Sequence, residues 1–166
     1  MSPIAFDPER ILRTLAQHHV RYVLIGGLAG RLWGSPTITN DLDLCYARDR
    51  VNLERLAEAL RALGARLRGV DADVPFLLDA ETLERGDHFT FATVAGNLDI
   101  LGHPAGSRGY EDLLATASDM QLAGQSVAVV DLDDLIAMKR AAARPKDRIE
   151  VEVLGALRDE LSKRRR

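Results

Sequence analysis

The sequence predicts an α/β (α+β) fold for a single domain that spans residues 1–166. Segments with apolar residues at helical spacing alternate with short apolar runs typical of strands. The length of 166 residues and the hydrophobic fraction of 46% are compatible with one hydrophobic core. We expect the core of the domain over about residues 20–130 and a C-terminal helical part over about residues 131–162.

The N-terminal segment contains two predicted helices around a short strand. The pair Asp7–Pro8 is typical of a helix start, and we expect this helix to end at about His19. Residues 22–25 are apolar and predict a strand. The pair Gly26–Gly27 then turns the chain into a second helix, which ends at residues 34–36 (Gly-Ser-Pro).

The middle of the chain predicts a helix and a hairpin. Leucine and alanine residues repeat at helical spacing from Leu53 until Gly64. Residues 66–86 carry no clear pattern, whereas residues 88–94 and 97–101 predict two strands of a hairpin.

The C-terminal part predicts a strand followed by two helices. The strand covers about residues 125–130, and Asp131 is a suitable N-cap for the helix that follows it. The last helix is expected over about residues 147–161.

An acidic strand carries the main chemical signal. Asp41 and Asp43 are separated by one residue, so their side chains point to the same face while Leu42 and Leu44 point into the core. Two neighbouring carboxylates in a partly buried site are best stabilised by a hard divalent cation. The pair therefore predicts a site for Mg²⁺ or Mn²⁺.

Three further features extend this site. Gly26–Gly27 lies at a strand-to-helix turn, where backbone N–H groups can approach the phosphates of an NTP. Asp99, the one acidic residue of the second hairpin strand, is a candidate ligand for a second metal ion and a candidate to activate an acceptor hydroxyl. Lys139 is a candidate cation for the phosphates.

These motifs resemble a known superfamily. Gly26–Gly27, thirteen intervening residues, the strand Asp41–Leu44 and a separate strand with Asp99 are similar to the signature of the DNA polymerase β-like nucleotidyltransferases. Residues 131–140 and 144–147 resemble the AbiEii-type nucleotidyltransferase toxins and their mycobacterial relatives.

The resemblance implies a minimal nucleotidyltransferase fold, which is a mixed β-sheet flanked by helices, and magnesium-dependent transfer of a nucleoside monophosphate. It also implies active-site roles for Lys139 and Asp147, in which Asp147 orients the lysine or contacts the nucleotide. Related toxins act beside an antitoxin, so the resemblance implies a cognate antitoxin protein as a partner.

The chain departs from the family pattern at two positions. Family members often carry arginine four residues before the first metal aspartate, whereas this chain has Thr37. Gly27 replaces the serine of polymerases, so the backbone N–H groups would bind phosphate, with help from the hydroxyls of Ser35 or Thr39.

Four functions remain open from the sequence. The first is transfer to an RNA acceptor, such as the 3′ end of tRNA, by the toxin of a toxin–antitoxin pair. The acceptor can also be a small molecule such as an aminoglycoside, or a protein hydroxyl. The fourth alternative is a silent nucleotide-binding module, which retention of all three carboxylates disfavours.

Charge and composition restrict the location and the partners. The formal net charge of −3 gives no overall basic field, so RNA must contact a local patch such as Arg61, Arg66 and Arg68 or the tail 163–166. One cysteine and no apolar run of membrane-spanning length predict a cytoplasmic protein without a membrane partner.

Overall fold

A computed structural model describes residues 4–165, which contain one seven-stranded sheet and seven helices. The strands are β1 (Tyr22–Ile25), β2 (Asp41–Tyr46), β3 (Arg66–Leu67), β4 (His88–Thr93), β5 (Gly96–Leu101), β6 (Ser118–Leu122) and β7 (Gln125–Val129). The helices are α1 (Pro8–Gln17), α2 (Gly26–Trp33), α3 (Arg50–Ala62), α4 (Ala80–Arg85), α5 (Tyr110–Thr116), α6 (Leu132–Ala142) and α7 (Pro145–Arg164). Among these helices, none combines the length and apolar character that a bilayer crossing requires.

The sheet is mixed, as predicted. Its strand order is β3-β4-β5-β2-β1-β7-β6. The pairs β2–β5 and β1–β7 are parallel, whereas β1–β2, β3–β4, β4–β5 and β6–β7 are antiparallel. The strand β2, which carries the two aspartates, therefore lies in the middle of the sheet between β1 and β5.

Alternation along the central strands separates the core from the polar face. Leu42 and Leu44 of β2 are fully buried, as are Leu98 and Ile100 of β5. The residues between them are partly exposed on the opposite face. This burial fixes which face of each strand carries its acidic residue, since a shift of one position would turn the leucines toward solvent.

The observed elements agree with the predicted ones except for small shifts and four additions. The first helix ends at Gln17, and the last begins at Pro145, two residues before its predicted start. The sequence did not predict the short elements β3, α4, α5 and β6. They have two to seven residues, which is too short for a periodic pattern to stand out.

Two side chains connect separate elements of the fold. The indole Nε1 of Trp33, at the end of α2, donates to the carbonyl oxygen of Val130 at 2.8 Å, just before α6 begins. Asn52 of α3 is fully buried and makes three hydrogen bonds. Its Oδ1 accepts from Arg21 N at 2.7 Å, and its Nδ2 donates to the carbonyl oxygens of Arg21 and Ala47 at 3.0 and 2.8 Å.

The replacement Asn52→Ala should lower the free energy of unfolding by about 3 kcal/mol, because it removes three hydrogen bonds and leaves Arg21 N and Ala47 O without their side-chain partner. Urea unfolding measures this loss. The matched control Asn40→Ala, at an exposed position, should change the midpoint little. Equal midpoints for both variants would contradict the assigned role of Asn52.

Candidate active site

The parallel pairing of β2 with β5 brings the predicted carboxylates together. Asp43 lies directly opposite Asp99 in the register, and Asp41 lies opposite Asn97. Burial, together with the negative charges of Asp99 and Asp41, raises the pKa of Asp43 to about 7, against an opposing contribution from Lys139. The three aspartates therefore form one cluster in which like charges are held close together.

An arginine that sequence reasoning did not assign to the site contacts this cluster. Arg68 follows β3, and its Nη2 donates to Asp99 Oδ1 at 2.8 Å. Its backbone N–H donates to Thr90 O at 2.9 Å. Burial raises the pKa of Asp99, and the guanidinium of Arg68 partly opposes this effect. Arg68 lies in the segment without a clear pattern, so only the three-dimensional structure identifies its partner.

The donor set is compatible with a hard divalent cation. Asp41 and Asp43 offer carboxylate oxygens on one face, and their mutual repulsion is the kind that a cation relieves. Within residues 4–165, however, no three His, Cys, Asp or Glu side chains are grouped closely enough to surround an ion in these conformations. Asp99 is instead held by Arg68, and its role as a metal ligand stays a prediction.

The glycine turn lies against the aspartates. Gly26 adopts a φ of +74°, and a Cβ atom at this position would overlap the Asp43 carboxylate. A Cβ on Gly27 would lie 3.0 Å from Thr39 Oγ1. Both glycines begin α2, so their N–H groups belong to a helix N-terminus, where anions bind favourably. Any larger residue at position 26 would disturb both the turn and Asp43.

Lys139 and Asp147 meet where α6 joins α7. The distance from Lys139 Nζ to Asp147 Oδ1 is 3.8 Å, and the aspartate side chain is only 1% exposed. Asp147 Oδ2 also accepts from the Nε and backbone N of Arg144 at 2.7 and 3.1 Å, which closes the first turn of α7. Burial raises the pKa of Asp147, but these hydrogen bonds outweigh it and hold the pKa below its usual range.

The hydroxyl groups near the glycine turn have different environments. Thr39 faces Gly27, whereas Ser35 is buried and donates to Glu150 Oε1 at 2.8 Å. Thr37 Oγ1 donates to Glu150 Oε2 at 2.5 Å. Ser35 is thus bound to α7, and Glu150 is a second residue near the site that the sequence motifs did not identify.

One cavity of about 570 Å³ joins these groups. It is bounded by every predicted site residue except Ser35: Gly26, Gly27, Thr39, Asp41, Asp43, Asp99, Lys139 and Asp147. Thr37, Arg144, Lys146 and Glu150 also line it, and Leu101, Leu135 and Met138 add apolar surface. A cavity of this volume with mixed walls is large enough for a small-molecule or nucleotide substrate.

The replacement Asp147→Ala should lower the free energy of unfolding by about 1–2 kcal/mol at pH 7, since it removes charged hydrogen bonds at the start of α7. The loss stays in this range because Arg144 is 56% exposed and solvent screens the pair. Because the pKa of Asp147 is lower in the folded state, its ionised carboxylate stabilises the fold at pH values above the unfolded pKa of about 4. This stabilisation is lost as the pH falls through the folded pKa.

Urea unfolding at pH 7 and pH 3 separates these contributions. The difference between Asp147→Ala and the wild type should be smaller at pH 3, because this pH lies below the unfolded pKa and the carboxyl group is then mostly protonated in the unfolded state. The control Asp159→Ala replaces an aspartate of α7 that is 71% exposed and should shift neither curve appreciably. A loss for Asp147→Ala that is independent of pH would contradict the ion-pair explanation.

Comparisons with known proteins agree with this geometry. Residues 10–159 match the family described as Nucleotidyl transferase AbiEii toxin, Type IV TA system. A search of curated proteins gives no match.

Solved structures with the same fold include the lincosamide antibiotic adenylyltransferase LnuA bound to lincomycin. Its TM-score is 0.62 at 14% identity, over 93% of this chain and 99% of that chain. ANT(2'')-Ia in complex with adenylyl-2''-tobramycin has a TM-score of 0.57 at 18% identity, over 96% of this chain and 97% of that chain. An antigenic nucleotidyltransferase-like protein from Paracoccidioides brasiliensis has a TM-score of 0.52 at 15% identity, over 92% of this chain and 77% of that chain.

At these identities the structural similarity establishes the fold alone, and it confirms the predicted α/β nucleotidyltransferase architecture. The family match covers residues 10–159, most of the chain, and it agrees with the resemblance found in the sequence motifs. The chain therefore belongs to the AbiEii nucleotidyl transferase toxin family and is a nucleotidyltransferase.

Proposed function

We propose that the protein transfers a nucleoside monophosphate from an NTP to a hydroxyl group of an RNA acceptor, such as the 3′ end of tRNA. In this proposal, residues 1–166 form a single catalytic domain, and a cognate antitoxin counteracts its activity. The family match supports the toxin–antitoxin context. The observation that carries the RNA acceptor is the positive charge at one edge of the cavity.

This charge is concentrated where α6 joins α7. Five basic residues, which we call the basic rim, occur within ten positions: Lys139, Arg140, Arg144, Lys146 and Arg148. The one acidic residue among these positions, Asp147, is buried and paired with Arg144. Four of the five basic side chains are exposed, and Arg144 and Lys146 line the cavity. An RNA phosphate backbone is attracted to such a surface, whereas a polycationic aminoglycoside is repelled.

The proposed reaction uses the residues of the cavity in separate roles. The acceptor hydroxyl oxygen attacks the α-phosphorus of the NTP, the bond from this phosphorus to the bridging oxygen of the β-phosphate breaks, and pyrophosphate leaves. Asp99 accepts the hydroxyl proton, and Arg68 holds its carboxylate in position. The N–H groups of Gly26 and Gly27 bind the terminal phosphates.

Lys139 supplies positive charge to the same phosphates, and Asp147 keeps its ammonium group at the cavity wall. Magnesium or manganese, when bound, supplies further positive charge to the phosphate oxygens. Asp41 and Asp43, with Asp99, are the residues that would hold it. Thr39 lies beside Gly27 and lines the phosphate end of the cavity.

A small-molecule acceptor is the second candidate. LnuA and ANT(2'')-Ia share the fold, and they bind lincomycin and adenylyl-2''-tobramycin, respectively. The apolar part of the cavity wall, formed by Leu101, Leu135 and Met138, is compatible with such an acceptor. A transfer assay that offers both kinds of acceptor distinguishes this candidate from RNA.

The replacement Asp41→Asn should abolish transfer and leave the fold intact, because it removes a charge from the proposed metal site but preserves the side-chain shape. The assay uses each of the four α-³²P-labelled NTPs with Mg²⁺ and offers either total tRNA or an aminoglycoside. We expect label on tRNA with the wild type and none with Asp41→Asn. The control Asp112→Asn, at an exposed position of α5, should retain full activity.

Label on the aminoglycoside alone would reject the RNA acceptor and retain the reaction class. Full transfer by Asp41→Asn would reject the mechanism. Label on neither acceptor, together with the absence of pyrophosphate release, would favour the silent nucleotide-binding module.

Charge reversal of the basic rim should weaken RNA binding specifically. The double variant Arg140→Glu/Arg148→Glu changes two exposed rim residues. We expect the KM for tRNA to rise about tenfold with little change in kcat, and the salt dependence of tRNA binding to fall by about two counterions. Steady-state kinetics at several salt concentrations measure both quantities.

The matched control Arg10→Glu/Arg85→Glu applies the same change in net charge to exposed residues of α1 and α4. It should leave the KM for tRNA nearly unchanged. An equal loss in both double variants would mean that net charge alone matters, and it would contradict the role of the rim.

A further inference from the structure

Glu150 is a buried acidic residue that forms no ion pair with any cation in the described part of the chain. It lies on α7, is 5% exposed, and contributes to the cavity wall. The neutral hydroxyls of Ser35 and Thr37 donate hydrogen bonds to it, one to each carboxylate oxygen. Across residues 4–165, it takes part in none of the ion pairs, which sets it apart from Asp99 and Asp147.

This environment leaves hydrogen-bonding capacity unused. A carboxylate offers about four acceptor sites, and Ser35 and Thr37 occupy two of them. A buried carboxylate is costly unless further donors or a cation stabilise it. A further donor can approach Glu150 from the cavity, which its side chain lines. Gly30 instead packs closely against the carboxylate, since an added Cβ there would lie 3.2 Å from Oε1.

Charge decides which part of a nucleotide can donate a hydrogen bond to Glu150. The phosphates are negative, and a buried carboxylate repels them. Within residues 4–165, the proposed phosphate-binding groups, which are the N–H groups of Gly26 and Gly27 and the ammonium of Lys139, form no hydrogen bond or ion pair with Glu150. The neutral donors of an NTP are its ribose hydroxyls, the exocyclic amine of ATP, CTP or GTP, and the ring N–H of GTP or UTP. A carboxylate accepts from any of them.

We propose that Glu150 accepts a hydrogen bond from the nucleoside part of the NTP and thereby contributes to substrate selection. This inference rests on the proposed function, since it assumes that the cavity binds an NTP. The donor is a ribose hydroxyl, an exocyclic amine or a ring N–H, and all three present the same O–H or N–H chemistry to the carboxylate. Ser35 and Thr37 hold the carboxylate in the orientation that faces the cavity.

The test measures nucleotide binding in the absence of transfer. Isothermal titration calorimetry with Mg²⁺ uses α,β-methylene analogues of ATP, CTP and UTP and their 2′-deoxy and 3′-deoxy forms, which cannot release pyrophosphate. Glu150→Gln keeps the size of the side chain but replaces one acceptor oxygen with a donor. We expect its affinity for the preferred nucleotide to fall roughly tenfold or more, as for a lost hydrogen bond to a charged group.

Analogues identify the donor. If Glu150 binds the base amine, the wild type should bind the UTP analogue roughly tenfold more weakly than the CTP analogue, and Glu150→Gln should remove this difference. If Glu150 binds a ribose hydroxyl, the wild type should bind either the 2′-deoxy or the 3′-deoxy analogue roughly tenfold more weakly than the parent analogue. Glu150→Gln should bind that deoxy analogue and its parent with equal affinity. The control Glu160→Gln changes an exposed glutamate on the same helix and should bind as the wild type does.

Several outcomes would overturn the inference. Unchanged affinity in Glu150→Gln would do so, as would an equal loss for every analogue, which indicates that the residue merely supports residues 35–37. If Glu150→Gln fails to fold, the analogue series with the wild type still decides, because equal affinities for all forms exclude a nucleoside contact. If the wild type binds no NTP, the proposed function itself fails, and this result is distinct from the others.

Discussion

The parallel pairing of β2 with β5 determines the position of the whole site. Its register places Asp43 opposite Asp99, although like charges repel each other. Leu42, Leu44 and Leu98 are fully buried on the other face of the same strands, and their burial offsets this repulsion. The hydrophobic core therefore holds the carboxylates in an arrangement that they would not adopt by themselves.

The acidic residues of the cavity differ in what stabilises each of them. Asp99 is paired with Arg68, and Asp147 with Arg144, whereas the partners of Glu150 within residues 4–165 are hydroxyl groups. In the same part of the chain Asp43 forms no ion pair, and burial together with its acidic neighbours raises its pKa. The acidic groups of the cavity thus fall into two sets, those paired with an arginine and those without a cationic partner within residues 4–165.

The sequence predicted the parts of the site that depend on local patterns. Alternation along β2 identified the orientation of Asp41 and Asp43, and the glycine turn was recognisable because its residues are adjacent in the chain. The sequence named Arg68 only as a candidate RNA contact and did not place Arg68 or Glu150 in the site, since their partners lie 31 and 115 positions away in the chain. Such contacts are set by tertiary packing, and a single sequence contains no local signal for them.

Trp33 gives the fold a natural optical probe. The chain contains a single tryptophan, and its indole connects the end of α2 to the residue that precedes the N-cap of α6. The helix α2 begins with the glycine turn, and α6 carries Lys139. Intrinsic fluorescence at this one position would thus follow the spacing of both helices in real time, without any attached dye.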